Sequence, residues 1–155
     1  MKEFIIKSLA TFFGIGYLPL CPGTWASIAA AGLFLFLAYG PLRFSFGVLL
    51  VAAVSLLVIG VAVSDLAEKI FKKKDSPYIV IDEVAAMVTV LVFVPQNPIA
   101  FVAAFLIFRM FDIIKPYPAK KIEQFSGSWG IMGDDFIAGL YTVVCIWLFS
   151  LAVRR

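Results

Sequence analysis

The 155-residue chain has no histidine, two cysteines and only 15% charged residues. Without imidazole, a histidine nucleophile and a histidine general base are both excluded. Two cysteines imply no disulfide framework. Cys145 falls inside an apolar run, where a thiol behaves as a small apolar side chain. Cys21 follows Leu18-Pro19-Leu20, and proline beside a large leucine makes a poor lipoprotein-type processing site. Charge is missing in whole blocks. No Asp, Glu, Lys or Arg occurs from Ser8 to Leu42, from Phe44 to Ser64, from Val84 to Phe108 or from Phe136 to Val153. The second and fourth blocks are each long enough to cross a hydrocarbon core of ~30 Å as a helix. With 63% apolar residues, this composition predicts an all-α, polytopic membrane protein, with residues 1-155 forming a single membrane-embedded domain.

What charge there is stands at the edges of the apolar runs. The net charge of +3 does not point to nucleic acid, because the basic residues are not interleaved with aromatics on a polar surface. Lys69, Lys72, Lys73 and Lys74 instead cluster beside a predicted membrane exit. Positive residues there read as a cytoplasmic loop, with attraction to anionic head groups as a second consequence. A solvated face that only sets topology is the plainer reading of each lysine. No feature demands a nucleic-acid partner or an obligatory protein partner.

Along the chain, Phe4, Ile5, Ser8, Leu9, Phe12 and Phe13 recur at helical spacing within Met1 to Phe13. No small-x-small cleavage pattern follows, so this segment is expected to be a retained interfacial helix. Gly14 to Thr24 contains two prolines beside three glycines and is not regular helix. Thr24 is expected to N-cap an apolar helix from Trp25 to about Tyr39, and Phe44 to Ser64 returns after a turn at Gly40-Pro41-Leu42-Arg43. Asp65 to Ile81 begins as an amphipathic helical extension and breaks at Ser76-Pro77. Asp82-Glu83 then fall in the first turn of the next helix, where acids suit the dipole. Pro95-Gln96-Asn97-Pro98 interrupts Val84 to Phe108. A short helical hairpin at 84-108 is preferred to one span because it gathers the acidic clusters on one side. Arg109, Asp112 and Lys115 follow at a spacing of three, on one helix face. A short polar surface helix at Ala119 to Gln124 and a loop at Gly127 to Gly133 precede Asp134-Asp135, which are expected to open the final span. No internal repeat occurs.

Four clusters carry chemistry: Pro22-Gly23-Thr24, Asp82-Glu83, Arg109-x-x-Asp112-x-x-Lys115 and Asp134-Asp135. Hard oxygen ligands without paired thiols suit Mg²⁺. A helix N-terminus behind glycine offers free N–H groups to an anion, Arg109 can clamp a phosphate, and Lys115 supplies a point charge. Together they describe magnesium-assisted phosphoryl transfer or phosphate-ester hydrolysis at a membrane surface. Each also has a bland reading: a turn and cap, a dipole complement, an intrahelical ion pair. Adjacent Asp134 and Asp135 are the hardest to dismiss, since they repel and one alone would cap a helix. The D-x-D-x-T tract of haloacid-dehalogenase phosphatases, the D-x-x-D-G-x-x-A-R pattern of head-group phosphatidyltransferases and a Cys-Arg phosphatase loop are all absent. Water activated by a metal, or an aspartate acting as nucleophile or base, remains.

The ordered set Gly14-x-Gly16-x-x-Pro19-x-x-Pro22-Gly23-Thr24-x-x-Ser27, Asp75-x-x-x-Ile79-Val80-x-Asp82-Glu83, Phe108-Arg109-x-x-Asp112-x-x-Lys115-Pro116-x-Pro118 and Gly130-Ile131-Met132-x-Asp134-Asp135-x-x-Ala138-Gly139 resembles phosphatidylglycerophosphatase A over nearly the whole chain. The resemblance implies a Mg²⁺-dependent lipid phosphatase of the bacterial inner membrane, with its active site facing the cytoplasm. Such an enzyme removes the terminal phosphate of phosphatidylglycerophosphate, an anionic phospholipid, to give phosphatidylglycerol. On this reading Asp82, Glu83, Asp134 and Asp135 bind Mg²⁺. Asp82, Asp112 and Asp135 act with Arg109 and Lys115 in catalysis, and Gly23, Thr24, Arg109 and Lys115 hold the phosphate. Departures are minor: Lys74 where some members carry histidine, Ala86 near the start of the hairpin, and Ala26 in the first motif. With Lys74 there, that position cannot be an essential base. The rival is a small ion or proton carrier with carboxylates as relay sites, but carriers favour repeated halves and midplane charges.

Overall fold

Three runs are long and apolar enough to cross a membrane: Pro22–Tyr39, Phe46–Phe71 and the greater part of Ser128–Val153. A computed structural model describes residues 1–153 and contains no strand among them. The helices are α1 (Lys2–Ala10), α2 (Pro22–Tyr39), α3 (Phe46–Phe71), α4 (Ile81–Phe93), α5 (Pro98–Ile114), α6 (Ala119–Ile122) and α7 (Ser128–Val153). A 3-10 turn at Ile15–Tyr17 joins α1 to α2.

Helix α4 is the axis. All but a few of its residues are buried, and it packs against α2, α3 and α7. Small residues let α2 approach it: Ala26, Ser27 and Ala30 are fully buried along one face, with Phe34 a turn further on. Close approach of this kind drives helix association where lipid removes the hydrophobic incentive. The opposite faces of the outer helices expose Phe36 and Leu33 on α2, Val51 and Val58 on α3, Val102 and Leu106 on α5, and Leu148 and Phe149 on α7. In water such a surface would aggregate. Here it is the lipid-facing surface of a multi-pass membrane protein.

The hairpin expected at 84-108 is present, with α4 and α5 separated at Val94–Asn97. Asn97 caps α5 by accepting a hydrogen bond from Ala100 N at 2.9 Å, and Pro98 occupies the first turn. Gln96 Nε2 donates to Leu91 O at 2.9 Å and Val94 O at 2.8 Å, and Trp147 Nε1 donates to Phe93 O at 2.8 Å. These donors satisfy carbonyls at the end of α4 that no water would reach within lipid. Tyr39 donates to Gln96 Oε1 at 3.0 Å and closes this end of the bundle.

Two expectations are corrected. Thr24 does not cap α2; the helix starts at Pro22, with Cys21 preceding it in a left-handed conformation. Proline's fixed φ makes the earlier start favourable. Nor do Asp134 and Asp135 open the last span, because Ser128 to Gly133 is already helical. The Ser128 hydroxyl accepts from Asp65 N at 3.1 Å and donates to Val61 O, tying the first turn of α7 to α3. The two aspartates therefore lie roughly 10 Å below the helix start.

Helix α1 lies across the end of α3. Ala10, Val63, Ala67, Ile79 and Ile81 form a small second core with Ile131 and Met132. Val80 N donates to Ala10 O at 2.9 Å, so the interfacial segment is pinned to the start of α4. Gly16 makes the same junction tight, since a Cβ there would overlap the Tyr78 carbonyl. Gly32 faces open space. Gly16→Ala is therefore expected to cost about 1–3 kcal/mol and to lower the melting temperature in detergent. Gly32→Ala should not lower it; equal losses in both variants would contradict this packing.

Candidate active site

Alternating helix directions bring five termini to one end of the bundle: the starts of α2, α4 and α7 and the ends of α3 and α5. Three short-range relations assemble the site there. Asp82 and Glu83, in the first turn of α4, meet Asp135 of α7, and each offers a carboxylate oxygen such that all three lie within 4.8 Å of one another. Arg109 and Asp112 arrive on the last turns of α5, with NH1 and Oδ2 2.6 Å apart. Gly23 brings α2 directly against them: a Cβ at this position would overlap the Glu83 carboxylate and sit 3.3 Å from Arg109 NH1. Only glycine permits that approach. Ser27 Oγ donates to Gly23 O at 2.8 Å and steadies the turn.

The Asp112 carboxylate stands beside those of Glu83 and Asp135. Lys115, at the left-handed cap of α5, reaches Asp134 Oδ2 at 2.6 Å and Glu123 Oε1 at 2.8 Å. Burial works against the Lys115 charge. The hydrogen bonds and charges of Asp134 and Glu123 outweigh it and hold the ammonium pKa above the usual lysine value. Lys115 thus stays charged across the neutral range.

Buried atoms without partners outline what the site lacks. Among the described residues, Glu83 Oε2, Asp134 Oδ1 and Asp135 Oδ2 accept no hydrogen bond, and Arg109 Nε and NH1 donate none. The Arg109–Asp112 contact is thus an ion pair at close range rather than a directed hydrogen bond. Leaving such groups buried and unpaired is costly. Orphaned carboxylate oxygens suit a hard cation, and orphaned guanidinium donors suit an oxyanion. Gly23 adds an N–H in the first turn of α2, where helix geometry supplies no internal partner.

All the residues singled out in the sequence fall at this end of the bundle, though not in one shell. Asp82, Glu83 and Asp135 form the tight group, with Arg109, Asp112 and Gly23 around it. Asp134 turns to Lys115 and lies outside the three-carboxylate group. Thr24 is half-buried one residue beyond Gly23. Arg109 and Asp112 share a face as expected, but Lys115 leaves the helix and faces α7. Glu123, which holds Lys115 in place, was not singled out from the sequence. An acid eight residues beyond a lysine, past a proline-bounded turn, is too common a pattern to be diagnostic. Asp75 is exposed at the turn after α3, where its N–H donates to Glu68 Oε1 at 2.7 Å.

Comparisons with known proteins place the chain among membrane lipid phosphatases. A Bacteroides thetaiotaomicron protein carrying the provisional name phosphatidylinositol-3-phosphatase is 32% identical over 151 residues, covering 93% of this chain and 92% of its own. Phosphatidylglycerophosphatase A of Haemophilus influenzae is 32% identical, covering 91% of this chain and 86% of its own. Phosphatidylglycerophosphatase A of Escherichia coli is 34% identical, covering 85% and 76%. No solved structure matches the chain. The sequence profile of the phosphatidylglycerophosphatase A family matches residues 8–150, so this chain belongs to that family of membrane phosphatases.

Proposed function

We propose that the chain, acting as one lipid phosphatase domain, hydrolyses the terminal phosphate of phosphatidylglycerophosphate to phosphatidylglycerol and inorganic phosphate, using Mg²⁺. The observation that carries this reading is the meeting of three carboxylates from α4 and α7, two of them (Glu83 and Asp135) with a buried oxygen that has no hydrogen-bond partner, near Arg109, whose Nε also lacks one and whose NH1 is ion-paired with Asp112. Asp82, Glu83 and Asp135 would hold the cation. Asp134 lies next to them and retains one free oxygen. Once bound, Mg²⁺ would supply Lewis-acid polarisation of the phosphoryl group and neutralise developing charge.

The remaining chemistry belongs to the side chains. Arg109 Nε and NH1, with the Gly23 N–H and the Thr24 region, bind the equatorial oxygens of the phosphate. Their donors are worth most where charge accumulates in transfer. Asp112, beside Asp135, accepts a proton from the attacking water. The bond from phosphorus to the glycerol oxygen breaks as the new P–O bond forms, the departing oxygen takes a proton from solvent water, and Asp112 afterwards returns its own proton to solvent. Lys115, fixed by Glu123 and Asp134, contributes positive charge at the rim and keeps Asp134 oriented.

Charge distribution supports a cytoplasmic active site in a bacterial inner membrane. Among the described residues, Lys2, Lys7, Lys69, Lys72, Lys73, Lys74, Lys120 and Lys121 lie toward the acidic end, whereas Arg43 lies in the turn between α2 and α3 at the other. That asymmetry follows the positive-inside pattern. The Bacteroides relative's name concerns a different lipid head group, so phosphatidylinositol-3-phosphate belongs beside phosphatidylglycerophosphate in the assay.

Pure protein should release phosphate from phosphatidylglycerophosphate with Mg²⁺ and lose that activity in chelator. Full activity in chelator would remove the metal from the mechanism. Asp134→Asn and Glu83→Gln should each reduce turnover by about 10²–10³-fold while the helical circular-dichroism signal stays intact. Turnover close to wild type in either variant would take that residue out of the site. Gly23→Ala, which displaces the Glu83 carboxylate, should lower kcat by a similar factor without a large change in melting temperature. Retention of kcat would show that α2 does not need so close an approach.

A further inference from the structure

The acidic cluster explains how a head group is held but not how one lipid is drawn from the bilayer. Two cavities lie along α7, neither of them lined by the acids themselves. A recess of about 720 Å³ near the membrane surface is lined by Ile122, Phe125, Trp129 and Gly133. A groove of about 450 Å³ runs deeper, between α3, α4 and α7, along Ala53, Leu57, Val90, Leu140 and Val143. Phe136 lines both. It directly follows Asp135 in the chain, so the boundary between the cavities lies one residue from the carboxylate cluster.

The groove is the size of a small-ligand site, and its walls are almost entirely apolar. Thr89, the polar side chain among them, spends its hydroxyl on Ala85 O at 2.7 Å. Its depth comes from small residues. Gly139 lies opposite α4, where a Cβ would come 3.2 Å from Val90 Cγ2 and 4.0 Å from Ala86 Cβ. Ala86 is one turn below Asp82, and Gly139 is one turn below Asp135. The floor therefore begins a single turn, ~5 Å, beneath the acids. It runs about 10 Å from Ala86 to Phe93, whose carbonyl is held by Trp147. Val54 and Leu140 are exposed at its lipid-facing rim.

A slot with these properties fits a hydrocarbon chain tethered to a head group at the cluster. We propose that the groove between α3, α4 and α7 holds one acyl chain of the lipid whose phosphate occupies the acidic site, and that the chain enters past Phe136. The proposal rests on the phosphatase reading for the identity of the head group. It makes Gly139, Ala86 and Phe136 determinants of chain recognition, and it makes binding of the tail part of substrate selection rather than passive residence in the bilayer.

The test has two arms. In the first, Gly139→Leu fills the groove from its floor and Val54→Trp from its exposed rim, the second variant covering the case in which the first does not fold. Each should lower the ratio of kcat/KM for dioleoyl over dihexanoyl phosphatidylglycerophosphate by about tenfold. Val102→Trp, on the lipid-facing side of α5, should leave the ratio at its wild-type value. In the second arm, phosphatidylglycerophosphate with a diazirine midway along one acyl chain is photolysed on the protein in nanodiscs. Label should concentrate on Val90, Val143 and Leu140 and be displaced in Gly139→Leu. An unchanged ratio in both groove variants, or label spread evenly onto Val102 and Leu106, overturns the proposal. If the wild-type protein releases no phosphate from this lipid, the proposed activity fails, and the position of the label still decides whether the groove takes an acyl chain.

Discussion

Electrostatic repulsion among buried and half-buried carboxylates is the constraint around which the rest of the molecule is arranged. Asp82, Glu83, Asp112, Glu123, Asp134 and Asp135 crowd one end of the bundle, and two cations, Arg109 and Lys115, stand among them. Like charges at such separations in a medium of low dielectric are strongly unfavourable unless countercharge is supplied. The local pairing is also uneven. Lys115 pairs with both Asp134 and Glu123 and Arg109 NH1 with Asp112, while Arg109 Nε and one oxygen each of Glu83, Asp134 and Asp135 have no hydrogen-bond partner among the described residues. Such an arrangement is poor for stability and well suited to holding a cation and a phosphate at once. That cost is offset by apolar packing elsewhere in the bundle, around the buried length of α4.

That separation of roles is visible in the fold. Helix α4 carries two of the acids and is also the most buried helix, held by alanines of α2 and by Gly139 of α7. At 13 residues it is roughly 20 Å long, shorter than the ~30 Å hydrocarbon core. Gln96, Trp147 and Tyr39 close its far end, and at the other end Asp82 and Asp135 are buried. Burial lowers the local dielectric there, which would strengthen donors facing a bound anion. The same end also places the head-group site within reach of the groove that begins one turn below.

Much of this arrangement was legible in the sequence, because charge in an apolar chain is informative wherever it occurs. The break at Pro95-Gln96-Asn97-Pro98 marked the hairpin correctly: two prolines and two amides at the centre of a long apolar run have no better explanation. Asp82-Glu83 at a helix start was legible for the same reason, since Ser76-Pro77 ends the preceding segment. Two boundaries were misread. Thr24 has the chemistry of a cap, but Pro22 starts the helix two residues sooner. Gly127 to Gly133 has the composition of a loop, yet Ser128 anchors it to α3, a tertiary contact that local propensity does not report. The groove and the role of Glu123 were not legible. Both depend on which helix faces which, and apolar segments that are buried on one side and lipid-covered on the other carry little periodicity to reveal that.

The central claim is that carboxylates of α4 and α7, more than fifty residues apart in the chain, form one divalent-cation site. Titration of the purified protein in nanodiscs with Mn²⁺, followed by electron paramagnetic resonance, tests it without requiring turnover. The account predicts saturable binding that Mg²⁺ displaces, lost on Glu83→Gln in α4 and lost equally on Asp135→Asn in α7. Mn²⁺ affinity that survives either substitution unchanged would contradict it.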